Sequence, residues 1–343
     1  MKVAFDGRIL KHKVFTGVEN YAAEIFKGLK ERFSLLLFQP QSTKSIFQHF
    51  WLHTKLPLLA QKSDLLFSPV GVVPLLFTKD LKLIVTIHDV AFLTQKGSVS
   101  KFFKIYYAFV TPRSIKKADH IITVSEAAKQ EIIRIYPFSK HKITAIHNGV
   151  DAKYRVLKSV QKEKQILYVG SINERKNLQG VLDAFEKLPD ELNYKLIIVG
   201  NFSKLFKVSK KLQSSIHKAK NNKNIIFKGN LTSQELLYEY NRSCALLFPS
   251  FYEGFGLPIL EAMACGTPVI TSNLSSMSEI CQDAALYVDP YNSDDIAKKT
   301  ELLLQDRALQ ELFRKKGLKH ITNFSWEKSV AKHIEVFEKV MES

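Results

Sequence analysis

Two glutamates in one short segment, Glu253 and Glu261, are the side chains whose type and spacing most clearly suggest binding chemistry. They lie in residues 250–270, whose sequence is SFYEGFGLPILEAMACGTPVI. Gly256 predicts a loop after the first glutamate, and Pro258 suits the first turn of a helix. The pattern therefore places Glu253 in a loop and Glu261 inside the helix that follows.

The predicted start of that helix would favour an anion such as phosphate, because its N–H groups are free and its dipole end is positive. Carboxylates at this place would repel a phosphate and suit hydroxyl groups instead. The arrangement predicts a sugar nucleotide, with Glu261 on the ribose and Glu253 on the transferred sugar. The spacing alone leaves open the alternative that both are solvated acids on an ordinary loop and helix.

A basic pair, Arg175 and Lys176, follows another predicted strand, residues 166–169, which ends at Gly170. Cations at a strand end beside a helix start can neutralise a diphosphate, Arg by its bidentate fork and Lys as a point charge. An exposed basic pair without function is the alternative. The sequence contains no Asp-x-Asp pair that would hold Mg²⁺, so we expect no metal and no cofactor.

The first half offers a histidine and a glycine turn in comparable positions. His88 follows the apolar strand predicted over residues 81–87, and ligands of open α/β sheets bind beyond the carboxyl ends of strands; a purely structural histidine is the alternative. Gly17 and Val18 lie in a turn before a helix predicted from Tyr21, a place that can approach a phosphate or a sugar. This turn is not a GxGxxG fingerprint, so a nicotinamide cofactor has little support.

The elements that would position these side chains alternate between strand and helix twice along the chain. This alternation predicts an α/β protein of two Rossmann-like, doubly wound domains that face one another across a cleft. The domains are predicted over residues 1–155 and 160–324, joined by an unpatterned polar linker at 153–165. A single amphipathic helix is predicted over 302–317, and Ser325 is predicted to cap a last helix within residues 325–343.

The charge of the chain is strongly uneven between the halves. Residues 1–155 carry 24 Lys and Arg against 11 Asp and Glu, and residues 156–343 carry 26 against 22. The basic residues of the first half are interleaved with aromatic ones at 44–59 and 101–117, a mixture that suits an anionic membrane surface. Nucleic-acid binding and a generic basic surface are the alternatives.

Other features bound the class of protein. The apolar runs are of strand length, the N-terminus lacks the apolar core of a signal peptide, and three cysteines show no CxxC pairing. These features predict a soluble intracellular protein with free thiols.

These motifs together resemble the family 4 glycosyltransferases, retaining enzymes of the GT-B fold that use sugar nucleotides. The resemblance covers nearly the whole length and is most specific in the segment from Glu253 to Glu261. Its other parts are the Gly17 turn, residues 86–89, 122–125, 148–151 and 168–177, and the final helix, which in this fold packs back on the first domain. Many members have an arginine at the position that Ser171 occupies here. In this chain the arginine is at position 175 instead, which is similar to a branch of the family that makes bacterial surface polysaccharides.

The resemblance implies a role for each candidate residue. Glu253 would bind the hydroxyls of the donor sugar, Glu261 the ribose, and Arg175 with Lys176 the departing diphosphate. His88 would contact the sugar from the first domain. The remaining donor contacts would come from Gly17, Val18, Gly170, Asn230, Leu231, Phe255, Gly256 and Leu257.

The predicted activity is metal-independent transfer of a hexose, from GDP-mannose as the leading donor, to a lipid-linked or lipopolysaccharide glycan. The expected partners are a nucleotide sugar, that glycan acceptor and an anionic membrane surface, and not nucleic acid. The expected location is the cytoplasm, peripheral on the inner face of the membrane. A sugar-nucleotide epimerase of the same fold and a basic nucleic-acid-binding protein are the competing hypotheses.

Overall fold

The computed structural model describes residues 1–11, 17–42, 45–76, 81–94, 101–202 and 208–342 of the chain. The described residues within 1–93, 104–149 and 324–343 form one compact unit, and those within 94–103 and 150–323 form the other. Several residues of the sequence motifs lie outside the described residues: Thr16, Lys44, 95–100 and 203–207.

The first unit is built on a six-stranded parallel sheet with the strand order β2-β1-β3-β4-β5-β6. The strands are β1 (Lys2–Asp6), β2 (Ser34–Phe38), β3 (Leu65–Ser68), β4 (Lys82–Thr86), β5 (His120–Thr123) and β6 (Ile143–Ala145). The helices are α1 (Gly17–Leu29), α2 (Ser45–Ala60), α3 (Ala91–Thr94), α4 (Lys101–Lys117) and α5 (Glu126–Ile135).

Strand β1 shows how this sheet is covered on both faces. Val3 and Phe5 pack with the apolar face of α1, whereas Ala4 packs with α2, α4 and α5 on the other side. Because side chains alternate across a strand, a short run of apolar residues serves two cores. The carboxyl ends of the parallel strands then meet at one edge of the sheet.

The second unit repeats the architecture with the strand order β12-β11-β10-β7-β8-β9, again with all strands parallel. Its strands are β7 (Gln165–Val169), β8 (Lys195–Val199), β9 (Ile225–Gly229), β10 (Ala245–Phe248), β11 (Val269–Ser272) and β12 (Leu286–Val288). Its helices are α6 (Leu178–Phe185), α7 (Lys210–Ala219), α8 (Ser233–Arg242), α9 (Leu257–Ala264), α10 (Met277–Cys281), α11 (Ser293–Gln305) and α12 (Arg307–His320). The predicted class, α/β with two doubly wound parallel sheets, is confirmed.

The last helix, α13 (Trp326–Glu342), belongs to the first unit and packs on α1. Gly149, which ends the second run of that unit, lies so close to the start of α13 that a Cβ would be 2.2 Å from the Trp326 nitrogen. The Ser325 hydroxyl accepts from the Lys328 amide at 3.2 Å, so Ser325 caps this helix as predicted.

Two local predictions differ from the structure. The single helix predicted over 302–317 is wrong, because the chain breaks at Asp306, whose side chain caps α12. Helix α1 begins at Gly17 and not at Tyr21. Two long helices, α2 and α4, occupy segments for which the sequence indicated only a basic and aromatic composition. In the segment predicted as a linker, the Asn241 side chain bonds the backbone of Arg155 and Leu157.

Among the described residues, no helix is both long enough and apolar enough to cross a membrane.

Candidate functional site

The Glu253 carboxylate holds both predicted cations in the second unit. One of its oxygens accepts from the Lys176 ammonium at 2.6 Å, and the other accepts from the Arg175 guanidinium at 3.1 Å. The same Arg175 nitrogen also donates to the Tyr252 carbonyl at 2.8 Å. Three residues that the sequence predicted to act on one ligand are therefore in direct contact with each other.

The backbone after β7 places the two cations. A short 3₁₀ helix spans Glu174–Lys176, and Asn177 ends it in the left-handed region with φ of 54°. The Asn177 side chain donates to the carbonyls of Pro249 and Pro290, at 3.0 and 2.7 Å. The Phe251 amide donates to the Arg175 carbonyl at 2.9 Å. These bonds fix the loop after β7 to the loops after β10 and β12.

The ion triad is buried, which decides its electrostatics. Glu253 is 5% exposed and Lys176 is 9% exposed, so the alternative of an exposed basic pair does not hold for Lys176. Burial alone raises the pKa of Glu253, but the charges of Lys176 and Arg175 outweigh it and hold that pKa below its ordinary value. The Lys176 ammonium also lies 4.9 Å from the ring centroid of Phe248. The carboxylate is therefore ionised at neutral pH.

Helix α9 begins directly after this triad. Gly256 precedes it with φ of 105°, a conformation that other residues rarely adopt, and it offers no side chain to cap the helix. Phe255 is buried, and its carbonyl accepts from the Ser276 hydroxyl at 3.0 Å, as does the carbonyl of Glu253. In the first turn Pro258 has no N–H and the Ile259 N–H donates to the Gly256 carbonyl at 3.0 Å, so the Leu257 N–H is the first that the start of this helix can offer to an anion.

Glu261 lies inside α9, and two tyrosines are its neighbours. Its carboxylate accepts from the Tyr240 hydroxyl at 2.7 Å, and the ring of Tyr154 packs edge-on against Tyr240. Burial raises the pKa of Glu261 to about 7. Glu261 is 8% exposed, so the alternative of a solvated surface acid does not hold. A carboxyl group with this pKa changes its charge near neutral pH.

Three other predicted donor residues lie at the carboxyl ends of β7 and β9. Gly170 follows β7 and adjoins the Lys176 side chain; a Cβ there would lie 3.5 Å from that side chain, an ordinary contact. Asn230 is exposed and Leu231 half-buried, both between β9 and the capping box that begins α8.

A cavity of about 510 Å³ adjoins the Glu253 loop. Tyr291 and Asn273 line it, and the Tyr291 ring stacks on Phe251 with centroids 4.8 Å apart. Ser275, just after the cavity wall, donates to the Glu253 carbonyl at 2.6 Å. The residues that line this cavity follow β11 and β12 or belong to β12 and α11, and the triad of Glu253, Arg175 and Lys176 is not among them.

His88 lies in the first unit, just beyond the end of β4. Its Nε2 contacts the Pro69 carbonyl at 2.9 Å, and since a carbonyl only accepts, that nitrogen carries the hydrogen. Burial lowers the pKa of His88, so the ring is neutral with Nδ1 as its acceptor. The Tyr21 ring packs edge-on against His88 with centroids 4.8 Å apart.

Behind His88, a buried chain of hydrogen bonds joins three elements. The His333 Nδ1 contacts the Ser329 carbonyl, so its Nε2 accepts from the Tyr21 hydroxyl at 2.7 Å. The Tyr21 oxygen in turn contacts the Thr86 hydroxyl at 2.7 Å. The last helix thereby fixes the ring that packs on His88.

Gly17 and Val18 form the first turn of α1, on the same helix as Tyr21. They were predicted to stand in a turn before the helix, and the structure places them inside it. Gly17 is exposed and Val18 half-buried.

Sequence reasoning missed the residues that hold the candidate side chains in place. Asn177, Tyr240 and His333 were given no role, although each makes a buried hydrogen bond to a neighbour of the site. Asn177 adjoins the Arg-Lys pair, and an asparagine in the left-handed region is a recognisable helix boundary. Tyr240 and His333 carry no such signal. Within the described part of the chain, no group of three or more His, Cys, Asp or Glu could hold a metal ion.

Comparison with known proteins gives two family matches, which meet close to the boundary between the units at residue 150. A family model described as glycosyl transferases group 1 matches residues 150–320, and one described as glycosyltransferase family 4 matches residues 15–154. The second match includes Gly17 and His88, and the first includes both glutamates.

Two curated relatives are mannosyltransferases. The chain is 32% identical to O-antigen chain mannosyltransferase B of Escherichia coli, over 74% of this chain and 70% of that one. It is 30% identical to O-antigen chain mannosyltransferase RfbU of Salmonella typhimurium, over 70% of this chain and 65% of that one.

A solved structure with a similar fold is Anabaena HepE in complex with UDP and glucose. The TM-score is 0.77 at 18% identity, and the likeness covers 99% of this chain and 100% of that one. At this identity the likeness is one of fold, and it confirms the predicted GT-B class.

Proposed function

Because the chain belongs to glycosyltransferase family 4, we propose that it moves mannose from GDP-mannose to a lipid-linked or lipopolysaccharide glycan, with retention of anomeric configuration. The names of the two mannosyltransferase relatives support the choice of sugar and of acceptor class. The observation that carries the proposal is the buried triad of Glu253, Arg175 and Lys176 beside the start of α9.

The two cations bind the donor diphosphate in this proposal. Negative charge grows on the phosphate oxygens as the nucleoside diphosphate departs, and fixed cations with a helix N-terminus stabilise it without reorganising. An ammonium group has three N–H donors and a guanidinium has five, so Lys176 and Arg175 can hold Glu253 and phosphate together. These charges take the part that a metal ion plays elsewhere, and we propose that the enzyme needs none.

The two glutamates bind hydroxyl groups. Glu253, ionised and held by its cations, accepts hydrogen bonds from the transferred sugar, and Glu261 accepts them from the ribose. Backbone N–H groups from Phe255 to Leu257 meet the sugar and the phosphates. Gly170, Asn230 and Leu231 border the nucleotide.

The first unit supplies His88, whose neutral Nδ1 can accept from a hydroxyl of the sugar, and the N-terminus of α1 at Gly17 and Val18, which meets the phosphates. In the proposed retaining step, the acceptor hydroxyl oxygen bonds to the anomeric carbon as the bond from that carbon to phosphate breaks. Both events take place on one face, and the acceptor's proton moves to the leaving phosphate oxygen.

Thermal-shift measurements with GDP, UDP and ADP, and with their sugars, test the donor. A ligand at 100 times its dissociation constant stabilises the folded protein by about 2.7 kcal/mol. At equal concentrations, GDP and GDP-mannose are expected to raise the melting temperature most, because the proposal gives them the lowest dissociation constants. Transfer assays with and without EDTA then test metal independence, and NMR of the product reads the anomeric configuration. If none of these nucleotides shifts the melting temperature, the proposal fails.

The proposed location is the inner face of the cytoplasmic membrane, reached through an apolar face on α2 and α4. Its large exposed side chains are Ile46, Phe47, Phe50, Leu58, Leu59, Ile105 and Phe109. Exposed cations lie on or next to the same two helices, among them Lys55, Lys104 and Arg113. Aromatic and basic side chains on one surface suit the boundary of an anionic bilayer.

A further inference from the structure

A second polar cluster lies in the first unit, apart from His88. It consists of Asp6, Arg8, His49, His53 and Tyr106, and we call it the His-Tyr cluster. Asp6 ends β1, the two histidines stand one turn apart on α2, and Tyr106 lies on α4. Nothing proposed above uses these residues.

Two members of the cluster, Asp6 and Arg8, form a buried ion pair. The Arg8 Nε lies 2.9 Å from each Asp6 oxygen, and its Nη2 lies 2.7 Å from one of them. The Ser68 hydroxyl, at the end of β3, donates to the same carboxylate at 3.4 Å. The charge of Arg8 is therefore matched by Asp6 at the edge where the strands end and where ligands of open α/β sheets bind.

Above this pair, the hydrogen bonds have a defined direction. The Leu75 amide donates to His53 Nδ1 at 3.3 Å, so the hydrogen of this neutral ring is on Nε2, which lies 3.2 Å from the Tyr106 hydroxyl. That hydroxyl then donates to His49 Nδ1 at 2.9 Å, which leaves His49 with its hydrogen on Nε2. Within the described ranges, no residue accepts from this Nε2.

Both histidines are half-buried and neutral. Burial, together with the neighbouring Arg8 cation, lowers the pKa of His49 and of His53 to about 4. The ring of Tyr107 packs edge-on against both His49 and Tyr106, with centroids 5.9 and 5.2 Å apart. Neutral donors beside aromatic rings suit sugar hydroxyls and ring faces, whereas a diphosphate would need cations that are not already matched.

We propose that the His-Tyr cluster binds the terminal sugar of the acceptor glycan, with His49 Nε2 donating to one of its hydroxyls. This inference rests on the proposed function. It is strengthened by position, because the cluster lies on the inner sides of the helices that carry the apolar face. A lipid-linked acceptor could keep its lipid at that face while its sugar reaches the cluster along the same two helices.

Two conservative variants test the acceptor site. Tyr106→Phe removes the hydroxyl that aligns His49 and keeps the ring, and His49→Gln removes the ring. The acceptor is the lipid-linked glycan extracted from cells of the source organism that lack this gene. Each variant is expected to raise KM for this extract about tenfold, the loss of one good hydrogen bond, and to leave KM for the sugar nucleotide unchanged.

The matched control is His217→Gln on α7, an exposed histidine of the second unit that should leave both KM values as in the wild type. Vesicle binding of all variants is measured in parallel and is expected to be equal, which separates sugar contact from membrane docking.

If the wild-type enzyme is active and the variants keep its acceptor KM, the His-Tyr cluster is only a structural bridge between α2 and α4. The inference is overturned in the same way if the melting temperature of a variant falls and its KM rises equally for the sugar nucleotide and for the acceptor. If the wild-type protein transfers no sugar to the extract from any sugar nucleotide, the proposed function fails, and the acceptor site fails with it.

Discussion

Glu253 is the residue on which the triad depends most, because removing its charge takes from Lys176 and Arg175 the carboxylate that both contact. We predict that Glu253→Gln lowers the free energy of unfolding at pH 7 by about 3 kcal/mol, as is usual when a buried ion pair loses one partner. The lowered pKa means that this contribution is present above the unfolded pKa of about 4.5 and is lost as the pH falls through the folded value. Urea denaturation followed by circular dichroism at pH 7 and pH 4 measures both effects.

The matched control for this variant is Glu163→Gln, whose pair with Arg242 is open to solvent on both sides. It should cost less than about 1 kcal/mol at either pH. Equal costs for the two variants at pH 7 would show that the Glu253 triad does not stabilise the fold. Glycosyl transfer should be lost in Glu253→Gln alone.

Glu261 is predicted to make donor binding pH-dependent. Its raised pKa of about 7 means that the protonated form dominates below neutrality, whereas ribose hydroxyls donate best to the ionised form. The affinity of the wild-type enzyme for GDP-mannose should therefore rise between pH 6 and pH 8. Glu261→Gln should bind more weakly and show no such rise. Calorimetric titration with the sugar nucleotide, whose phosphates do not titrate in this range, measures the dependence.

The same group affects stability in the opposite direction. Because its folded pKa lies above the unfolded value, its contribution is complete below about pH 4.5 and is lost as the pH rises through about 7. Glu261→Gln cannot ionise, so it should lose less stability than the wild type between pH 5 and pH 8. Parallel stability curves for the two proteins would contradict the raised pKa.

At the scale of elements, the packing of α13 on α1 depends on one glycine. A Cβ at Gly28 would lie 2.4 and 2.7 Å from the two methyl carbons of Val330, whose branched side chain cannot rotate away easily. Gly28→Ala should therefore destabilise the first unit by about 1–2 kcal/mol although alanine favours helix. Adding Val330→Ala should recover at least about 1 kcal/mol relative to the sum of the single changes.

Tryptophan fluorescence during urea denaturation measures this coupling in the correct unit, since both tryptophans, Trp51 and Trp326, belong to the first unit. Leu302→Ala in the second unit is the control, and it should leave the stability that tryptophan fluorescence reports for Gly28→Ala unchanged. Additive effects of Gly28→Ala and Val330→Ala would show that the helices separate to accommodate the methyl group.

Most strands could be predicted because parallel strands covered on both faces are short apolar runs, as in residues 81–87 and 195–199. The site was predicted from residue types at the ends of these runs, and the structure brings Glu253, Arg175 and Lys176 together. Helices α2 and α4 could not be predicted in this way. Each contains a proline, and apolar residues occur around the whole helix, so no polar face marks the helical period.

The contacts between distant segments were also beyond sequence reasoning. Nothing in the types of Tyr240 and Glu261 indicates that they share a hydrogen bond, and the buried state of Lys176 depends on Asn177 reaching two other loops. The break at Asp306 was missed because an acidic residue inside an amphipathic pattern has two meanings, a solvated face or a helix cap. The structure shows the cap.

For the whole molecule, charge does not distinguish the two units, since Lys and Arg outnumber Asp and Glu by 23 to 14 in the first and by 27 to 19 in the second. The first unit carries the apolar face on α2 and α4, whereas the second holds the triad of Glu253, Arg175 and Lys176. In the function proposed above, the second unit binds the nucleotide while the apolar face of the first binds the membrane.

Membrane docking predicts a specific loss. Phe47 and Phe50 are 56% and 64% exposed, so Phe47→Ser/Phe50→Ser should leave the core intact while removing two anchors. In flotation with vesicles of about 30% anionic lipid in ~0.1 M salt, the double variant should bind at least about tenfold more weakly than the wild type, since burying one such ring contributes about 1.5–3 kcal/mol. Leu302→Ser/Leu312→Ser, equally exposed in the second unit, should bind as the wild type does. Binding that is equal in both variants, or indifferent to anionic lipid, would exclude this face as the docking surface.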